Sequence, residues 1–325
     1  MMSNRAVLVM LAAALGMGAP HPAAAGDTDP EALVNALNAV FGANPGKRAA
    51  HTHGFCVKGA FVPSDEAGKL SKAPHLSGKG PWPVVARFSM GGGNPEAPNT
   101  QKDNTRGIAL HIDLGQGNQT DMVLISAPVF VAKTPAKFLE LLQTVASKDK
   151  DRIGAFFKAN PESTLQKSWL NARRVPASYA TTSYFGVHTF TLTNAAGAKQ
   201  IIKWKLIPKA GEVGLSDDEA KTKDPDFYRP ELVERLARGP AEFDLTAILG
   251  QPGDARDDPT AFWPEDRTSV VMGTLTIAAL EDDTVCDSNM FDPTNVSDGI
   301  EGPANDGIFQ IRSPAYAVSF SRRNQ

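Results

Sequence analysis

Residues 187–207 constrain the fold most. In an extended segment Val187, Thr189, Thr191 and Thr193 share one face, and His188, Phe190 and Leu192 share the other. Asn194-Ala195-Ala196-Gly197 then supplies turn chemistry, and residues 200–207 run back along the first arm. A hairpin of this kind requires an antiparallel sheet. Further strands are predicted at 84–89, 107–112, 122–125 and 270–277. Helices are predicted between and around them. Asp29 caps the first, Pro30 sits in its first turn, Gly42 ends it, and Leu33, Leu37 and Phe41 line one side. Thr134-Pro135 opens a second, with Phe138, Leu141, Leu142 and Val145 facing inward. Shorter helical pieces are predicted at 153–158, 163–170 and 230–238, the last closed by Gly239-Pro240. Strands early, in the middle and late, with helical inserts, predict an α+β fold: a closed antiparallel β-barrel with peripheral helices. No repeat or linker divides the chain, so residues 26–325 are expected to form one domain.

The N-terminus reads differently from the rest. Arg5, an apolar run over 6–16 and Ala23-Ala24-Ala25 form the pattern of a cleaved secretory signal. Cleavage is expected after Ala25, which places the mature chain in the periplasm; a retained N-terminal anchor is the alternative. The run is too short to span a bilayer, and no later stretch is apolar enough to do so. Export permits a disulfide. Cys56 and Cys286 lie far apart and in no C-x-x-C arrangement, so one bridge and two free thiols both remain open. With 33 basic and 36 acidic side chains there is no positive field for nucleic acid.

Several kinds of chemistry are absent: there is no Gly-rich phosphate loop, G-x-S-x-G elbow or H-E-x-x-H pair. His51 and His53 stand two apart and could begin a metal site, but no third ligand is evident near them. Near the C-terminus Arg312 and Tyr316 are spaced i, i+4. On a helix that spacing lets the guanidinium reach the phenol oxygen, and a cation there favours phenolate. A phenolate can serve as axial ligand to ferric haem; an exposed Arg–Tyr helical pair has the same spacing.

From Arg48 onward the sequence resembles the haem catalase family, in its small catalase-related peroxidase branch. Arg48-Ala49-Ala50-His51-Thr52-His53-Gly54 is similar to the family's distal-histidine segment, R-x-x-H-A-K-G. Pro83-Val84-Val85-Ala86-Arg87-Phe88-Ser89 is similar to P-V-x-x-R-F-S, and Arg106-Gly107 to the R-G that follows. The stretch from Asp121-Met122-Val123 to Pro128-Val129-Phe130 resembles D-L-V-G-N-N-T-P-V-F. Gly186-Val187-His188-Thr189-Phe190 matches G-x-H-T-F, and Phe291-Asp292-Pro293-Thr294-Asn295 matches F-D-P-S-N. Arg312-x-x-x-Tyr316 falls where the family places its proximal ligand. The motifs occur in one order across most of the chain.

The resemblance implies haem b, with Tyr316 as iron ligand and Arg312 holding it as phenolate. It implies His51 as distal acid and base, with Ser89 on the far imidazole nitrogen. Arg48, Arg87 and Arg323 would pair with the haem carboxylates, and Phe130 and Phe138 would line the distal pocket. His53 stands at a lysine position of the family and is not assigned to catalysis, and His188 is expected to serve structure or a peripheral contact. Two departures point to peroxidase rather than catalase activity. Ile125-Ser126 replaces the family's asparagine pair, whose first member orients peroxide. The resemblance also omits the long N-terminal arm, the wrapping segment and the C-terminal helices, which implies a more open haem and a monomer or small homo-oligomer. The expected function is therefore reduction of hydrogen peroxide or organic peroxides by a small organic reductant, with little oxygen release. True catalase activity, conversion of lipid hydroperoxides as in allene oxide synthases, and a non-enzymatic haem-binding barrel are the alternatives.

Overall fold

The computed structural model describes residues 28–325, so the predicted signal at 1–25 lies outside the described residues. The sheet is built from β1 (Gly54–Pro63), β2 (Trp82–Met90), β3 (Arg106–Gly115), β4 (Asn118–Ile125), β5 (Tyr184–Thr193), β6 (Lys199–Pro208), β7 (Ala241–Leu249), β8 (Ser269–Leu280) and β9 (Ile300–Glu301). The strand order is β4-β3-β2-β1-β8-β7-β6-β5-β9. A β4–β5 pairing through Ile125 and Phe185 closes the first eight into a barrel, and β9 adds to β5. All the ladders are antiparallel. The predicted hairpin is β5–β6, with Phe190 opposite Ile202 and Leu192 opposite Gln200. Its turn is held by the Asn194 carboxamide, which accepts the N–H groups of Ala196 and Ala198.

Alternation along the strands builds the core. Val84, Ala86, Phe88, Ile108, Leu110, Leu124, Ile202, Phe243 and Leu275 join one large buried cluster. Phe88 stacks on Tyr179 at 4.9 Å between centroids. The other face of β2, β3 and β4 carries Arg87, Ser89, Gly107, His111 and Ile125.

The helices are α1 (Pro30–Phe41), α2 (Ala67–Leu70), α3 (Pro74–Ser77), α4 (Pro135–Ala146), α5 (Lys150–Ala159), α6 (Leu165–Asn171), α7 (Asp217–Thr222), α8 (Tyr228–Leu236), α9 (Asp283–Asp287) and α10 (Gly307–Arg323). The predicted caps are present: Asp29 accepts the N–H of Glu31, and Thr134 that of Lys137. Leu33, Ala36 and Leu142 form a second cluster with Leu37, Phe138 and Ile311, which joins α1, α4 and α10 into one layer. Cys56 and Cys286 form a disulfide with Cα atoms 5.6 Å apart, tying β1 to α9 and resolving the pairing that spacing left open. Among the described residues no helix is long and apolar enough to cross a membrane.

Candidate functional site

One row of residues across three strands forms the floor on which His51 lies. Ser89 on β2 pairs with Gly107 on β3, which pairs with Ile125 on β4. Directly paired residues project from the same face of a sheet. His51 Nδ1 lies 3.0 Å from Ser89 Oγ. A Cβ at Gly107 would come within 2.9 Å of that nitrogen and 3.0 Å of Ser89 Oγ, so the ring occupies the space that glycine leaves. His51 itself has φ +55°, a left-handed conformation that costs about 1–3 kcal/mol. Arg87 holds it there: Nη1 donates to the His51 carbonyl at 2.7 Å, and Nη2 to that of Thr52 at 3.0 Å. Burial pushes the His51 pKa down to about 4, with Arg87, Arg312 and Arg48 adding to the effect. The imidazole is therefore neutral at ordinary pH and able to take a proton.

A second chain of contacts converges on Tyr316, on α10. Arg312 donates to the phenol oxygen from Nε at 3.2 Å and from Nη2 at 2.5 Å. Its Nη1 lies 3.1 Å from His188 Nε2. A guanidinium has only donors, so His188 Nε2 accepts. His188 Nδ1 then carries the proton and donates it to Asp306 Oδ2 at 2.6 Å. Burial lowers the His188 pKa, consistent with a neutral ring. Asp306 Oδ1 meanwhile accepts the N–H of Phe309 and caps α10. One carboxylate thus starts the helix, fixes a tautomer, and through it orients the guanidinium that grips the phenol.

A third group lies beside both. Arg48 donates to the carbonyls of Cys286 and Asn289, and Arg323 to those of Asp287 and Asn289. Burial lowers the Arg48 pKa to about 9, with Arg87 and Arg323 reinforcing the shift. Nε of Arg48 and Nε of Arg323 are buried without a hydrogen-bond partner. Crowded cations with unspent donors suit an anionic partner. Ser319 of α10 accepts the N–H of Ala49 at 3.1 Å, which links the Tyr316 helix to the His51 segment.

The other candidates fall as follows. Phe130 and Phe138 meet edge to face at 5.1 Å. His53 turns away from His51, to the Ala97 carbonyl and to Asp226. Among the described residues no group of three His, Cys, Asp or Glu side chains could hold a metal ion. Arg87, expected to pair with a haem carboxylate, donates instead to the carbonyls of His51 and Thr52 and holds that loop. Of the two roles expected for His188, structure or a peripheral contact, the contacts show the structural one, within the Tyr316 network; the G-x-H-T-F match marked it, but only the fold brings Asp306 beside it. The role of Gly107 follows from a register that no local pattern encodes. A cavity of about 640 Å³ lies elsewhere, between Trp169, Phe185, Trp263, Lys203 and Arg267, and contains neither His51 nor Tyr316.

Comparison with known proteins points to one family. The family model described as Catalase matches residues 41–324. A catalase-related peroxidase from Synechococcus elongatus is 39% identical, over 98% of this chain and 95% of that protein. One from Mycolicibacterium paratuberculosis is 36% identical, over 92% of this chain and 96% of its own. A fungal catalase crystal structure superposes with a TM-score of 0.75 at 22% identity, covering 85% of this chain and 59% of the fungal one. A histidine on a serine–glycine floor, a guanidinium-held tyrosine on the last helix and a family match spanning both sites lead to one assignment: the chain belongs to the catalase family.

Proposed function

We propose that this chain is a haem b-dependent peroxidase that reduces hydrogen peroxide or organic peroxides with a small organic reductant and releases little oxygen. Its residues fit the cofactor. Tyr316 offers an oxygen oriented by Arg312, and the unpartnered Nε atoms of Arg48 and Arg323 mark a place for carboxylates. When bound, haem supplies the iron at which the peroxide O–O bond is broken.

The chain's own residues handle the proton. The tautomer that donates Nδ1–H to Ser89 leaves His51 Nε2 as the atom that removes a proton from one peroxide oxygen and returns it to the other. Gly107 leaves room for the ring, and Arg87 fixes the loop that carries it. The observation that carries the peroxidase reading is Ile125, which ends the Ser89–Gly107–Ile125 row beneath His51. An isoleucine cannot donate a hydrogen bond to peroxide, and the neighbouring Ser126, whose hydroxyl accepts the N–H of Arg106, lines the other cavity rather than the His51 site. Losing one such contact costs about 0.5–1.5 kcal/mol. That slows oxidation of a second peroxide more than cleavage of the first. The names of the two bacterial relatives point the same way.

Export to the periplasm belongs to this proposal and rests on the signal pattern in 1–25. An oxygen electrode run beside a phenolic-donor assay tests the activity. Donor should be oxidised with little gas evolved. Vigorous oxygen release from hydrogen peroxide alone would overturn the reading drawn from Ile125.

A further inference from the structure

Arg48, Arg87 and Arg323 repel one another. Backbone carbonyls hold all three: Arg87 on those of His51 and Thr52, Arg48 and Arg323 on one short segment. Arg48 Nη2 donates to Cys286 O at 2.5 Å, and Arg48 Nη1 and Nη2 reach Asn289 O at 3.3 and 3.2 Å. Arg323 Nη2 donates to Asp287 O at 2.8 Å and Asn289 O at 2.9 Å. All three acceptors belong to 286–289, at the end of α9 and just beyond it. The Asp287 carboxylate adds a longer contact, 3.8 Å from Arg48 Nη2.

These carbonyls are placed by anchors at both ends of the segment. Downstream, Asp121 Oδ2 accepts the N–H of Asp292 and the carboxamide of Asn295, while the Arg48 guanidinium lies 5.7 Å from the centroid of the Phe291 ring. Upstream, Asp283 accepts the N–H of Cys56 and pairs with Arg229 at a half-exposed site. The covalent anchor is Cys286 itself, bonded to Cys56 on β1. Both cysteines are buried and pack against Phe291, so the cross-link is a fixed part of the wall.

We infer that the Cys56–Cys286 disulfide is a positioning element of the haem-carboxylate site: it fixes the carbonyls of 286–289, and these present Arg48 and Arg323 as one anion-binding pair. The inference rests on the haem reading above and makes these cysteines part of cofactor selection.

The test loads the full chain with haem, or with haem dimethyl ester, whose carboxylates are masked, and follows loss of each porphyrin to excess apomyoglobin. Wild type is compared with Cys56→Ser/Cys286→Ser and with the better-filling Cys56→Ala/Cys286→Val, at a temperature where the variants are folded. The expected result is loss of haem about tenfold faster in the variants, the effect of weakening one charge-assisted contact, with loss of the diester unchanged. The difference should vanish when Arg48→Gln and Arg323→Gln are already present. Equal acceleration for both porphyrins, or for neither, overturns the inference, because a purely structural cross-link does not distinguish them. Failure of both cysteine variants to fold also overturns it, since the bond then serves the whole fold. A wild type that takes up no haem at all refutes the cofactor reading itself.

Discussion

The His51 ring is held by what its neighbours lack as much as by what they offer. Gly107 has no side chain, Ser89 offers one hydroxyl, and Arg87 captures two carbonyls of the loop. In Gly107→Ala the new methyl collides with the ring and the serine together. Such a protein should fold and keep haem, while its second-order rate with peroxide falls by about 10²-fold or more, the usual contribution of a placed general base. Stopped-flow kinetics at the Soret band checks this, and an unchanged rate would show that the ring is not confined there. The pH profile of that rate should be flat near neutrality and fall on the acid side as pH drops through about 4, where His51 gains a proton. His51, Ser89, Arg312 and Tyr316 were legible in the sequence because each sits in a short motif with fixed spacing. Gly107 and His188 stood in matched motifs too, but their roles depend on contacts between distant segments: a strand register in one case, and 118 residues of separation in the other.

Helix α10 does two things with one residue. Asp306 caps its N-terminus and also receives the His188 proton, which leaves His188 Nε2 free to accept from Arg312. In Asp306→Asn an amide N–H aimed at Nδ1 would drive the proton to Nε2, opposite a guanidinium that has only donors to offer. Arg312 would then lose its support against Tyr316. Stability should fall by about 1–3 kcal/mol, and the absorption spectrum of the haem-loaded protein should shift. If melting falls while the spectrum stays fixed, the capping role is supported and the relay is not. The same scale shows why two barrel strands escaped the sequence reading. On β1, Phe55 and Val57 face the core while Cys56 between them packs under α9, so both faces are buried and alternation disappears. On β7, Ala241, Phe243, Leu245 and Ala247 do alternate inward between Gly239-Pro240 and Gly250, but its partners β6 and β8 lie across long connections, so no tight hairpin marks it as a strand. Proline and cap chemistry made both ends of α1 and the start of α4 readable to within a residue or two.

Across the molecule, neutral histidines make stability depend on acid. Burial pushes both His51 and His75 down to about 4 from an ordinary 6.5, and lowers His188 as well. The unfolded chain then binds more protons than the folded one below neutrality, so the stabilisation is complete above about pH 6.5 and is lost as pH falls toward 4. Melting temperature should decline over that interval, and His75→Gln should flatten part of the decline without touching peroxide chemistry. A melting temperature constant from pH 7 to 4 would mean that these rings charge freely in the folded state. The barrel places the two halves of the site on different parts of the chain, the distal row on β2–β4 and the tyrosine on α10, with the disulfide-anchored segment beside them. In the proposed function the two halves are joined through Tyr316, which would grip a porphyrin iron. The most direct measurement is the optical spectrum of the purified, haem-loaded protein beside Tyr316→Phe. Wild type should show the bands of five-coordinate ferric haem on a phenolate, and the variant should lose haem or those bands. Identical spectra from the two proteins would contradict the assignment.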